Sequence, residues 1–416
     1  MEKFIINGGK KLKGTIEVRG AKNDALVILA SALLTSKPVY INRVPDIEDI
    51  KRMSELMDKL GVKVKRLSYE KYKIVANKIK STIIDREIAK RLRASILLTA
   101  PLLARMGRVD FPHPGGCVIG ERPIDVFLDG YRALGANVEY KDGVYSVSAK
   151  KLKGTKFVFG SVSVTGTEAM IMAASSAEGT TILKNCACEP EVESLADFLN
   201  NCGAKISGAG TPKIIVRGIK NLNGGDHTTI PDRIEAGSFL ILGAVSGSSL
   251  KVNKCEPEHL DSLLNVLEKS GAKIKVNKSS IEVSSSGLRS VNIKTKEYPG
   301  FPTDLQAPLC VLLTQAEGQA LVHETIYEGR LSWTEELKRM GASILSLDPH
   351  RIEIKGPTTL RGREIESPDI RAGMAYIVAA LCAEGESIIN NVYQIDRGYE
   401  KIEKRLQKIG ADIKRV

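Results

Sequence analysis

The chain has 416 residues, of which 43% are hydrophobic, 26% charged and 5% aromatic, with a formal net charge of +12. That length exceeds what one hydrophobic core carries, so two domains are expected, and the ordinary apolar content excludes an extended disordered chain. The positive balance asks for anionic partners, but Trp333 is the sole tryptophan and no dense Lys/Arg run occurs, so small phosphorylated ligands fit better than nucleic acid.

The first residues, Met1 to Ile6, include an acid and lack an apolar signal segment, so a cytoplasmic protein is expected. From there the same succession recurs with a period of about 70 residues. It runs from an apolar helix to a short strand, an acidic turn and an amphipathic helix ending on glycine. The endings are Leu60-Gly61-Val62, Leu134-Gly135-Ala136, Cys202-Gly203-Ala204, Ser270-Gly271-Ala272, Met340-Gly341-Ala342 and Ile409-Gly410-Ala411. Glycine there suits the left-handed residue that closes a helix. The apolar runs Ala25–Leu34, Ser95–Leu103, Ala169–Ala174, Phe239–Ser246, Pro308–Leu313 and Met374–Cys382 are hydrophobic nearly all round, which predicts helices buried on every side. None reaches the ~18 apolar residues of a bilayer span, so no membrane insertion is expected. The second helices carry a stripe, as in Ile50, Met53, Leu56, Met57 and Leu60, and belong at the surface. β-Branched segments such as Val39–Ile41, Thr181–Leu183, Ser249–Val252 and Ser387–Ile389 follow the apolar helices and read as strands. Six such α/β units divide into two groups of three, with a change-over near Asp226–Pro231, giving two similar lobes.

The segment His113 to Asp125, HPGGCVIGERPID, interrupts this regularity. Pro114, Gly115, Gly116 and Gly120 prevent a helix or central strand, which sets Cys117 on a connecting loop. Arg122-Pro123 is expected to open the next helix, and the cation with the helix start favours thiolate at Cys117. A purely structural loop cysteine is the competing reading. The seven cysteines are odd in number and form no C-x-x-C pair, which suits a reducing compartment, and Cys186-Ala187-Cys188 has no histidine cluster to complete a zinc site. Ser163-Val164-Thr165-Gly166-Thr167 offers hydroxyls and amides at a helix start, for phosphate oxygens or for plain capping. Cations recur at turns and helix ends: Arg19, Lys22, Arg91, Arg93, Arg122, Arg330, Arg371 and Arg397. Their matching places in the repeats predict a cleft lined by positive charge. Walker and dinucleotide glycine motifs are both missing.

Taken together, GAKNDA at Gly20, RAS at Arg93, PGGCVIGERPID around Cys117, SVTGT at Ser163, PDRIEAG at Pro231, FPTDLQA at Phe301, ETIYEGR at Glu324 and IDRGYE at Ile395 resemble the UDP-N-acetylglucosamine enolpyruvyl transferases along essentially the whole chain. The resemblance implies an α/β protein of two lobes, 20–229 and 1–19 plus 230–416. Each would be an inside-out α/β barrel of three repeats around buried helices, with the active site in the cleft between them. It implies transfer of the enolpyruvyl group of phosphoenolpyruvate to the 3-hydroxyl of UDP-N-acetylglucosamine, with release of phosphate and without a cofactor or metal, at the first committed step of peptidoglycan synthesis. Lys22, Asn23, Arg122, Arg371 and Arg397 would hold phosphoenolpyruvate. Cys117 would protonate its methylene carbon and be the target of fosfomycin-type epoxides. Asp304 would orient or deprotonate the sugar hydroxyl, and Lys22 and Arg397 would stabilise the shifting charge. Arg93, the stretch Arg122, Pro123, Ile124, Asp125 and Val126, the stretch Ser161, Val162, Ser163 and Val164, and Asp304 with Ile326 would line the nucleotide-sugar site. Phe127 stands where many members have histidine, and Thr165-Gly166 replaces the commoner Gly-Ala. These departures keep two alternatives open, a transferase for another nucleotide or sugar acceptor and a non-catalytic relative on the same scaffold. The sequence specifies no oligomeric state.

Overall fold

The computed structural model describes residues 2–115, 120, 122–247 and 249–416. Backbone contacts divide them into two units, one of residues 20–115 and 122–230 and the other of 2–19, 120 and 231–416. Each unit has its own hydrophobic core.

The cores are built on the apolar helices, and five of the six start earlier than the hydrophobic runs, Thr99–Met106 starting later because a 3-10 segment precedes it. In the first unit they are Lys22–Ser31, Thr99–Met106 and Val164–Ala174; in the second, Arg233–Val245, Thr303–Thr314 and Ile370–Cys382. Ile370 to Leu381 are buried without a break, as are Leu305 to Thr314 and Ile234 to Ala244. Fully burying one such Leu or Ile side chain stabilises by roughly 1.5–3 kcal/mol. The repeat containing Arg93 departs from the expected α-helix, because Arg93–Leu98 winds as a 3-10 segment before Thr99–Met106.

The amphipathic helices end as the glycines predict. Gly61, Gly135, Gly203, Gly271, Gly341 and Gly410 all have φ between 88° and 109°. The residue after each glycine donates its N–H to the carbonyl five positions back, Val62 to Met57 and Ala411 to Leu406 at the two extremes of the series, which is the Schellman closure.

One sheet pattern recurs. In the first unit Val39–Asn42 pairs in parallel with Gly225–Thr228 and antiparallel with Lys71–Val75, which pairs with Lys63–Ser68. The second unit repeats it with Leu250–Asn253 between Gly14–Glu17 and Ser280–Ser284. A three-stranded sheet in the first unit replaces its parallel strand by a single bridge, Ile83 to Asp110. The last sheet is completed from the other end of the sequence, Phe4–Asn7 lying between Glu386–Asn390 and Asp412–Arg415. Among the described residues, no helix is long and apolar enough to cross a membrane.

Candidate functional site

The polar residues singled out in the sequence cluster in or just before the first turns of the core helices. A first turn leaves backbone N–H groups unpaired and carries the positive end of the helix dipole, so it gathers side-chain caps and anions. In the first unit Lys22 and Asn23 open Lys22–Ser31, Arg93 opens its 3-10 segment, and Ser163 caps Val164–Ala174 by accepting from the Gly166 N–H at 3.1 Å. That bond fulfils the capping reading of the SVTGT segment. In the second unit Asp232 accepts from the N–H groups of Ile234 and Glu235, Asp369 from those of Arg371 and Ala372, and Asp304 lies in the first turn of Thr303–Thr314.

The second unit brings three of these starts together. Asp304 Oδ1 accepts from Arg330 Nη2 at 2.9 Å, and Oδ2 accepts from Arg371 Nε at 2.9 Å with Arg371 Nη2 in ion-pair contact at 2.8 Å. Arg371 Nη1 donates to the Tyr399 hydroxyl at 3.4 Å, which lies 3.1 Å from the Ser238 hydroxyl on Arg233–Val245. Burial by itself would push the Arg371 guanidinium down, but Asp304, Tyr399 and Asp232 hold it well above the ordinary arginine value. Pro308 has no N–H to return to the Asp304 carbonyl, so the turn carrying Asp304 lacks one helical bond. Arg397, 6% exposed, donates to Gln394 at 3.0 Å. Ile326 is fixed through its N–H, which donates to Glu324 Oε1 at 2.8 Å.

Glu324 is the residue that sequence reasoning missed here. It is fully buried, and its carboxylate also accepts from the hydroxyls of Thr295 and Thr303 at 3.0 and 2.8 Å, which fixes the turn leading to Arg330. Its place at the head of ETIYEGR was visible; its threonine partners, 29 and 21 residues away, were not.

In the first unit Lys22 Nζ lies 3.3 Å from Asp49. Asp24, fully buried, accepts from the Ile230 N–H at 2.9 Å and contacts His227 Nε2 at 3.0 Å. Glu168, one turn into Val164–Ala174, is buried with Oε1 lacking a hydrogen-bond partner, and burial followed by the charges of Glu191, Glu189 and Asp24 pushes its carboxyl well above the usual range. Arg93 donates to the Pro114 carbonyl at 3.2 Å and the Arg122 carbonyl at 2.6 Å, tying the residues on either side of the cysteine loop to one guanidinium. Gly115 is required there, since a Cβ would stand 2.1 Å from the Lys90 carbonyl oxygen. Gly120, at φ 119°, occupies the backbone region that favours glycine.

Three expectations change. Pro123 does not begin the helix: Asp125–Ala133 starts two residues later, with Ile124 at its cap. Phe127, 2% exposed, and Ile124, 3% exposed, both pack into the core, because the apolar face of this helix turns inward. Phe127 therefore has no free face on which to stack a nucleobase. Arg122 and Val126 are half-buried, Pro123, Asp125 and Ser161 are exposed, and Val162 and Val164 are half-buried. Cys117, with the acid and alkylation roles expected of it, lies outside the described residues. The six described cysteines are unbridged. Burial pushes the Cys186 thiol up to about 11 and that of Cys382 up to about 12, so both are poor nucleophiles at neutral pH. Among the described residues, no group of three or more His, Cys, Asp or Glu side chains is placed to hold a metal ion.

A family model described as EPSP synthase (3-phosphoshikimate 1-carboxyvinyltransferase) matches residues 6–406. Relatives named UDP-N-acetylglucosamine 1-carboxyvinyltransferase include one from Koribacter versatilis (strain Ellin345), 44% identical over all of this chain and 97% of its own length. Another, from Desulfosudis oleivorans, is 43% identical with both chains fully covered. Among solved structures, the enolpyruvyl transferase NikO from Streptomyces tendae has a TM-score of 0.91 at 22% identity, covering 100% of this chain and 99% of its own. EPSP synthase from Acinetobacter baumannii has a TM-score of 0.77 at 19% identity, with both chains fully covered, and these two likenesses concern the fold. With a family model spanning nearly the whole chain and full-length relatives above 40% identity, this α/β chain belongs to the EPSP synthase family of carboxyvinyltransferases.

Proposed function

We propose that this chain transfers the enolpyruvyl group of phosphoenolpyruvate to the 3-hydroxyl of UDP-N-acetylglucosamine, releasing inorganic phosphate, and so begins peptidoglycan synthesis. The observation that carries the reading is full-length identity of 42–45% to relatives bearing the carboxyvinyltransferase name. The retained Lys22, Cys117, Arg122, Asp304, Arg371 and Arg397 add to it.

In this reading Lys22 and Asn23 bind phosphoenolpyruvate from a helix start, while Arg122, Arg371 and Arg397 receive its phosphate and carboxylate. Arginine suits that task because its planar fork matches oxyanions in pairs and stays charged. Asp304 accepts the proton of the sugar hydroxyl, and the oxygen adds to the central carbon of the enolpyruvyl group. Cys117 delivers a proton to the methylene carbon, and Arg93 holds the base of its loop. Loss of a proton from the resulting methyl group, with departure of phosphate from the central carbon, restores the double bond. Arg122 to Val126 and Ser161 to Val164 receive the nucleotide sugar along their backbone and exposed side chains, with Ile326 beside Asp304. Addition and elimination need only proton transfers and charge stabilisation, so no cofactor takes part. Each unit is read as an inside-out α/β barrel of three repeats. The unbridged cysteines suit the reducing cytoplasm.

The test is product analysis after incubation with both substrates. A nucleotide sugar that gains one enolpyruvyl group supports the reading, and an unchanged acceptor refutes it. Cys117→Asp, which keeps an acid on the loop, is expected to retain activity, and Cys117→Ser, a far weaker acid, to lose nearly all of it.

A further inference from the structure

The Asp304 carboxylate is not poised to take a proton. Both of its oxygens are engaged, Oδ1 by Arg330 and Oδ2 by Arg371, and these two guanidiniums are only 5% and 9% exposed against 27% for Asp304 itself. Protonating Asp304 in that state would strip two buried cations of their shared counter-charge, which is strongly unfavourable. The groups nearby offer no substitute. Glu324, whose charge reaches Arg330, is committed to Thr295, Thr303 and the Ile326 and Tyr327 N–H groups. Asp369 caps its helix through Oδ1, and Asp232, which bears on Arg371, caps another.

We infer that binding of phosphoenolpyruvate converts Asp304 from a counter-ion into a proton acceptor, by drawing Arg371 onto an oxyanion of the substrate while Arg330 keeps its hold on Oδ1. The inference rests on the reaction proposed above and adds an order to it. Arg371 is the partner that exchanges. It spends both Nε and Nη2 on the single oxygen Oδ2, whereas a substrate carboxylate or phosphate presents two oxygens to that edge and matches it better. Its remaining contact, the Tyr399 hydroxyl, is neutral and need not break. Arg330 reaches Asp304 through one nitrogen and lies beside the Tyr327 ring, 5.6 Å from its centroid. It is thus a positioning residue that holds the carboxyl in place as Oδ2 is released.

The step balances. The O–H bond of the 3-hydroxyl breaks and its electron pair forms the bond to the central carbon of the enolpyruvyl group; the C=C π pair there opens onto the methylene carbon, which takes the proton supplied by Cys117, and the hydroxyl proton goes to Oδ2. The substrate's charge on Arg371 replaces the one that Asp304 loses.

Calorimetric titration of phosphoenolpyruvate in buffers of differing ionisation enthalpy, at about pH 5 to 7, counts the protons exchanged on binding. The wild-type chain is expected to take up more protons than Asp304→Asn, with the excess growing as pH falls. Equal uptake by the two, with binding intact, overturns the inference and leaves the reaction standing. Failure of phosphoenolpyruvate to bind, with or without UDP-N-acetylglucosamine, overturns both. Infrared difference spectra of the wild-type chain give the same answer should Asp304→Asn not fold: a protonated-carboxyl band that phosphoenolpyruvate induces at about pH 5 and that fades toward about pH 7 supports the exchange, and its absence at about pH 5 overturns it.

Discussion

The two units share one repeat, but among the described residues only the second buries cations beside its acids. Among the described residues, every buried cation belongs to the second unit, namely Arg330, Arg371, Arg397 and Arg405, while the buried charged groups of the first unit, Asp24, Asp49, Glu168, Glu189 and Glu191, are all acids. In the second unit arginines and carboxylates meet in ion pairs, Arg371 and Arg330 with Asp304 and Arg405 with Glu235, so an incoming anion can exchange with an existing one. In the first unit acids crowd near helix starts with Lys22 as a half-buried cation, and Glu168 answers by keeping its proton. A single scaffold thus supports two electrostatic designs, because the repeat fixes only the apolar helix bodies and leaves the first turns to vary.

The largest effect expected from breaking this contrast is on turnover. Asp304→Ala removes the proposed proton acceptor and leaves Arg330 and Arg371 without their shared partner. Steady-state rates are expected to fall by about 10²–10⁴-fold while nucleotide-sugar binding, measured by calorimetry, changes little. Lost binding with normal turnover of the bound fraction would reduce Asp304 to a positioning role.

Next in size is Arg405→Ala. This guanidinium meets Glu235 at 2.5 and 3.0 Å, reaches the Glu17 carbonyl and covers the Phe239 ring at 5.0 Å from its centroid. Its removal leaves Glu235, 2% exposed, without this counter-ion and with the Arg19 N–H still donating to Oε2 at 2.7 Å, and is expected to cost about 3–5 kcal/mol in chemical denaturation. A cost under about 1 kcal/mol would mean that the pair is not the buried, neutralising contact described.

The smallest effect has the opposite sign. Glu168 has a folded-state pKa raised above its unfolded value, so the unfolded chain releases this proton first as pH rises, and stability is lost between the unfolded and folded pKa values. Glu168→Gln keeps the shape without that loss. Its melting temperature is expected to exceed that of the wild-type chain by a few degrees at neutral pH, with the gain vanishing below the usual carboxylate range. A gain that persists unchanged in acid would show that ionisation is not the cause.

The apolar bodies were legible in the sequence because all-round hydrophobicity has one physical meaning, burial, and the closing glycines because only glycine takes that φ without strain. The first turns were not. Lys22, Arg93, Asp304 and Arg371 precede the apolar runs, and hydrophobicity alone does not show that they belong to the helices. The candidate site residues could be named from the resemblance, but their partners could not, since Asp304 meets groups 26 and 67 positions away. Phe127 stands out in sequence as a departure from the family's histidine, and the stripe of its helix sends it into the core.

The account is tested most directly by phosphate release from phosphoenolpyruvate, measured with UDP-N-acetylglucosamine, with other nucleotide sugars and with no acceptor. It predicts release in proportion to product when UDP-N-acetylglucosamine is supplied, and only background with the other sugars or none. Equal release without an acceptor, or none with UDP-N-acetylglucosamine present, would contradict it.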